Sequence, residues 1–271
     1  MFIRILWALC ACFSLSNCAY ISSNAIPDKP NVWVYSDLSD PRDRRSGGHP
    51  HTDPDDIVSL ASFFLNADRF NIVAVVVGST NRQHLRNPMP FVEQTFVDAY
   101  HADIERFQQK YPSAQSTVDF KWSSLTQRPI PHQFDPNKDY SDLSDFDTVK
   151  QLIDFAKHKP VSVLSWGPIT ESAIAIKHLL DTGNHNTLKN ITVISHWTKS
   201  QLSQGSIAQP FNVANCWDDY AACHFMHETA LTQPLVKFIE VVSAGQKGLV
   251  NGSVQFKKMA LFDNSRLGQL F

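Results

Sequence analysis

Cysteine is scarce in this chain, with five in 271 residues. No two of them form a Cys-x-x-Cys pair, which argues against a zinc site built on thiolates. Charge of one sign is lacking too: 24 Lys+Arg face 26 Asp+Glu, a formal net charge of −2. Proteins that live on nucleic acid need a clustered positive excess, so that class is set aside. There is no internal repeat, and 15 Pro and 10 Gly are scattered without a biased tract. Fibrous and disordered chains are set aside on that ground. What is present is a chain that is 43% hydrophobic, long enough for one large α/β domain or two small ones with a sizeable core.

Long apolar runs are limited to one, Ile5–Leu15, which follows Arg4 and precedes Ser16-Asn17-Cys18. It is too short for a permanent bilayer span of roughly 20 helical residues and reads as a secretory signal. Leu15-Ser16-Asn17-Cys18 resembles a bacterial lipobox, in which Cys18 would carry the lipid; plain cleavage near Ala19 is the alternative. Residues 1–18 are therefore read as an export signal, pointing to the periplasm or outer membrane, and Pro-punctuated residues 19–30 as a tether. With Cys10 and Cys12 lost in the signal, Cys216 and Cys223 remain. They form either a disulfide, which an oxidising compartment permits, or two buried thiols.

The body of the chain alternates strand and helix patterns. Asn31–Ser36 is short, β-branched and aromatic, and Asn71–Val77 is a continuous apolar run typical of a strand buried on both faces. Val161–Ser165 and Ile191–Ser195 are two further strands. Ile57, Leu60, Ala61, Phe64 and Leu65 fall on one helical face, with Asp53 placed to cap and Pro54 to take the first helical position. Helices are also predicted over Phe91–Lys110, Asp147–His158 and Thr170–Leu180, whereas 113–145 reads as a polar surface excursion or lid. This order predicts a mostly parallel, doubly wound α/β sheet with helices on both faces, formed by residues 31–271 as a single domain. Ligands in such sheets sit beyond the carboxyl ends of the strands.

Acids gather at one of those ends. Asp37 follows the first strand, and Asp53-Pro54-Asp55-Asp56 opens the helix after it. A single Asp there would cap the helix and answer its dipole. Three in four positions, facing a fourth acid at a strand end, exceed that need. Converging carboxylates repel, and a hard divalent cation relieves the repulsion; oxygen-only ligands favour Ca²⁺ or Mg²⁺.

Val32–Asp37 followed by Asp53–Leu60 resembles the opening signature of the nucleoside hydrolase superfamily, a strand ending in Asp and then paired Asp leading into an apolar helix. Here Leu38–Thr52 is inserted between the halves, and Tyr35 stands where that family has a further Asp. The Pro-Asp-Asp form is similar to the nucleoside hydrolase-like domain of secreted bacterial carbohydrate-associated proteins. Val73–Asn81 resembles the family's second strand, and Val161–Ala173 its strand–Gly-Pro-Leu-Thr-Asn–helix segment. Ile191–Trp197, Pro210–Val213 and Asp218–Ala222 resemble its Glu-Phe-Asn…Asp-Pro-Glu-Ala-Ala segment, with two extra residues after Asn212. Of the family's late His-Asp, Phe262-Asp263 keeps the Asp alone.

The resemblance implies a calcium-dependent hydrolase of N-glycosidic bonds in ribonucleosides or related glycosides. By matching positions, Asp37 would be catalytic base and metal ligand. Asp55 and Asp56 would be ligands or ribose contacts, the Trp166 carbonyl and Asp263 further ligands, and Asn212 and Asn81 sugar contacts. Asn215 stands in for Asn212 if the extra residues shift the register. His49 and His51, in the insertion, are solvated loop imidazoles or reach a leaving group; His196 and Trp197 line the pocket or the core. The implied partner is a small nucleoside or glycoside, with the membrane met only through an N-terminal lipid and a homo-oligomer left open. The missing late His and the insertion leave two alternatives: a catalytically impaired sugar- or nucleoside-binding lipoprotein, and a hydrolase of another glycoside.

Overall fold

The structure, a computed structural model, describes residues 29–38, 54–78, 87–128, 130–241 and 265–270, with backbone alone at Pro54 and Asp55. Cys18, the tether to residue 28, His49, His51, Asp53, Asn81, Asp263 and the Asp55 side chain lie outside what is described.

Among the described residues six strands form one sheet: β1 (Asn31–Ser36), β2 (Asn71–Val77), β3 (Phe120–Trp122), β4 (Val161–Ser165), β5 (Ile191–Ser195) and β6 (Lys237–Glu240). Their spatial order is β3-β2-β1-β4-β5-β6, and every pairing is parallel. The order reverses between β1 and β4, where Tyr35 stands opposite Ser165. The four expected strands are present. The two at the edges, β3 and β6, are three and four residues long and lack the apolar run that betrays a central strand.

Two apolar layers sandwich the sheet. On one side α1 (Pro54–Phe64), α2 (Met89–Val92), a π-helical turn (Glu93–Val97) and α3 (Asp98–Lys110) cover Val32, Val34, Ile72, Val75 and Val77 with Leu60, Phe64, Phe96 and Tyr100. On the other, α4 (Asp147–Ala156), α5 (Thr170–Asp181), α6 (His185–Leu188) and α8 (Tyr220–Thr232) cover Trp33, Tyr35, Val76, Val163 and Val193. Strand side chains alternate between the layers because the pleat has a period of two. The helix α5 is buried along most of its length. It ends at Gly183, whose φ of +66° lets Asn184 N–H turn back to the Leu179 carbonyl at 2.8 Å, a left-handed stop that glycine adopts without cost.

Residues 113–145 are neither excursion nor lid. The stretch contributes β3, and its Leu125, Phe134, Tyr140 and Leu143 are buried against α4 and α5. Aromatics spaced irregularly along a loop carry no period, yet Phe134 stacks on Tyr140 with centroids 5.7 Å apart. Among the described residues no helix is long and apolar enough to cross a membrane.

Cys216 on α7 (Ala214–Trp217) and Cys223 on α8 form a disulfide. With Trp197 and Val213 they make a small separate core. Closing so short a loop removes denatured-state entropy worth about 2 kcal/mol. Chemical denaturation of Cys216→Ser/Cys223→Ser is expected to show a loss of that size, and wild type under reductant to fall to the same value.

Candidate functional site

The strand order reverses between β1 and β4, and parallel sheets of this kind take ligands in the crevice beyond the carboxyl ends of the strands at such a point. Asp37 follows β1 directly and is 3% exposed. Opposite it, at the end of β4, is Gly167. A Cβ built there would lie 2.6 Å from the Asp37 Cβ and 3.0 Å from its Oδ2, so only glycine allows the two strand ends to close on one another. Ser36 Oγ donates to Asp56 Oδ2 at 2.5 Å and accepts from the Leu38 N–H at 3.2 Å. One hydroxyl thus turns the chain out of β1 and holds the first turn of α1 against it. Asp56 is 4% exposed, so the strand end carries two buried carboxylates.

The end of β5 is tied in by an amide. Asn215 Nδ2 donates to the His196 carbonyl at 2.8 Å and approaches the Trp166 carbonyl at 3.5 Å. The Trp166 ring meets Phe63 of α1 edge-on, with centroids 5.9 Å apart. Asn212 is elsewhere: it is exposed, and its Oδ1 accepts from the Trp217 indole N–H at 2.8 Å. The amide that lies at the strand ends is that of Asn215. Asp219 caps α8. Trp197, just past β5, has a left-handed φ of 60°, a strained conformation for a bulky residue that clusters at functional positions. It is buried and held there by Gln204 Oε1, which accepts its indole N–H at 2.7 Å and the Ala214 N–H at 2.9 Å.

Three further groups carry weight that motif reading did not assign. Asp219 accepts from Phe134 N–H at 2.8 Å, Thr170 Oγ1 at 2.7 Å and Ala222 N–H at 3.1 Å. It pins the 130s loop, the start of α5 and the start of α8 together, which is a structural task. Burial still raises its carboxyl above the ordinary range, against the pull of those hydrogen bonds. Tyr35 is buried, and its phenol is raised well above 10 by burial first and then by Glu171, Asp37, Asp218 and Asp219, so it stays neutral. Glu171, in the first turn of α5, is pushed up to about 7 by burial. Its Oε1 accepts from Ser123 Oγ at 2.5 Å and Thr148 Oγ1 at 2.9 Å, while Oε2 is buried with no hydrogen-bond partner. The signal for Glu171 was legible: the similar family segment reads Gly-Pro-Leu-Thr-Asn, and this chain has Glu in place of the Asn.

The site's oxygens are of one kind. Asp37, Asp56 and the Trp166 carbonyl are hard donors, which suit Ca²⁺. Among the described residues no group of three His, Cys, Asp or Glu side chains is arranged to hold a metal ion.

Glu171 makes the fold sensitive to pH. Its folded value lies above the ordinary 4.5, so the folded state keeps this proton longer than the unfolded chain does. That contribution is complete below pH 4.5 and lost as pH rises through 7, by at most about 3 kcal/mol. Glu171→Gln, which mimics the protonated acid, is expected to flatten this decline. Urea unfolding of both proteins at pH 5 and pH 8 measures it.

No curated protein matches the chain in sequence. Its fold is that of a nucleoside hydrolase-related protein from Saccharophagus degradans associated with carbohydrate metabolism, at a TM-score of 0.58 and 12% identity, covering 89% of this chain and 50% of that one. It is also that of the type III effector protein XopQ, solved with adenosine diphosphate ribose, at a TM-score of 0.50 and 10% identity, covering 90% of this chain and 64% of that one. The chain thus spans half the length of the first and under two thirds of the second. The family described as cellulose-binding Sde182, nucleoside hydrolase-like domain, matches residues 49–229. The chain belongs to this family of nucleoside hydrolase-like domains.

Proposed function

We propose that the crevice between β1 and β4 takes a small glycoside, a ribonucleoside or a related sugar, and hydrolyses its glycosidic bond with the help of Ca²⁺. The observation that supports this most is the pair of buried carboxylates, Asp37 and Asp56, at the strand end where the sheet order reverses. In this reading Asp37, Asp55, Asp56, Asp263 and the Trp166 carbonyl hold the ion. Bound Ca²⁺ would lower the pKa of a water and fix two sugar hydroxyls. Asp37 would take a proton from the attacking water, and the surrounding carboxylates would favour positive charge where it develops on the sugar ring. Asn215 takes the hydroxyl contact first given to Asn212, with Asn81 a second.

A second reading is favoured by Tyr35. Where the resembled family has a further Asp, this chain has a phenol kept neutral by burial, which removes one charge from the site. The family's description names cellulose binding. A domain with this site would hold a glycan or nucleoside without cleaving it.

Calcium titration by calorimetry, followed by a panel of inosine, uridine, ADP-ribose and a cello-oligosaccharide, separates the readings. Hydrolysis of any member supports the enzyme, whereas binding without product supports the second reading. Asp56→Ala is expected to abolish calcium binding while leaving cooperative unfolding intact. Asp37→Asn is expected to lower turnover by about 10²-fold or more, the usual worth of a general base. Wild-type calcium affinity in both variants would remove the site assignment.

A further inference from the structure

The sheet's other end is chemically the opposite of the site. A groove of about 550 Å³ runs across the amino ends of β1, β2, β4, β5 and β6 and is lined by Lys29, Lys159 and Lys237, with no carboxylate among its lining residues. Lys29 Nζ donates to the Ser113 carbonyl at 2.5 Å and Lys237 Nζ to the Lys189 carbonyl at 2.6 Å. Neutral carbonyls orient these ammonium groups without cancelling their charge. Lys159 and the neighbouring Lys189 are exposed. In a chain of net charge −2, so local a positive excess is a segregated patch.

The chain enters the fold at this face, because Lys29 and Pro30 line the groove and lead directly into β1. Only ten residues separate Cys18 from Lys29, a span of at most about 40 Å when fully extended. A lipid on Cys18 would therefore join the fold at the lysine face, where the chain enters, and bring that face nearest the bilayer. The Cys216–Cys223 disulfide suits the oxidising compartment that export requires.

We propose that the amino end of the sheet is an electrostatic docking face for the phosphates of anionic phospholipid headgroups. It seats the domain on the membrane with the β1–β4 crevice turned outward. The proposal rests on the reading of Cys18 as a lipid anchor for its tether, and on the lysine groove for its face.

The test uses the mature chain, residues 19–271, without lipid, sedimented with vesicles of phosphatidylcholine alone or with 30% phosphatidylglycerol. Expected is binding to the anionic vesicles at about 50 mM salt that is lost at about 500 mM, since such contacts are screened. Lys159→Glu/Lys237→Glu is expected to weaken it at least tenfold, at about one factor of five per lysine. Equal binding to both vesicles, none to either, or an unaffected double variant would overturn the proposal. Displacement by 10 mM inorganic phosphate would also overturn it, by showing a free-anion pocket. Mass spectrometry of the N-terminal peptide from exported protein reads acylation of Cys18 separately. Its absence removes the tether, whereas anionic-vesicle binding would still support the face.

Discussion

Gly167 lies so close to Asp37 that no side chain fits between them, and the arrangement of the crevice depends on that contact. It is possible because β1 and β4 are parallel neighbours in register, with Trp166 N–H donating to the Tyr35 carbonyl at 2.9 Å. Both strands then end at the same height. A strand-order reversal sends the chains that follow to opposite faces of the sheet, so the space above the two ends stays open to a ligand. Asp56 arrives from α1 on one face and Glu171 from α5 on the other. Acids thus reach the carboxyl ends of the strands from both faces of the sheet.

Burying acids this way is costly, and the structure meets the cost differently at each. Asp219 accepts three hydrogen bonds and becomes a clasp between loop and helices. Asp56 takes the Ser36 hydroxyl. Glu171 has two hydroxyl donors on one oxygen and none on the other, and it answers by holding its proton to about pH 7. Chemically similar carboxyl groups thereby acquire a structural, a positioning and a titrating character from their surroundings alone.

A parallel sheet has two unlike ends, and this one exaggerates the difference. Carboxylates and strained backbone collect where the strands finish, and lysines with backbone-bound amides collect where they start. Asn31 donates to the Pro160 carbonyl, and Asn190 to that of Ala156. Those amides close off carbonyls at the sheet's base, a stabilising role that leaves the chemistry to the far end.

The central strands β1, β2, β4 and β5 and the helices between them were legible in the sequence, because burial on a pleat or a helix face leaves a short-range period. The acids Asp37 and Asp56 stand out in the sequence by their places after a strand and at a helix start, and the structure buries both. The edge strands were not legible: Phe120–Trp122 and Lys237–Glu240 are too short to show a period and become strands by pairing with β2 and β5. Nor were the choice of Asn215 over Asn212, the cap at Asp219, or the proton on Glu171. Each depends on which distant backbone lies alongside, and spacing along the chain does not encode that distance. Sequence determined the alternation and the acid at the first strand's end; only the tertiary structure, by fixing strand order and burial, decided which groups meet there.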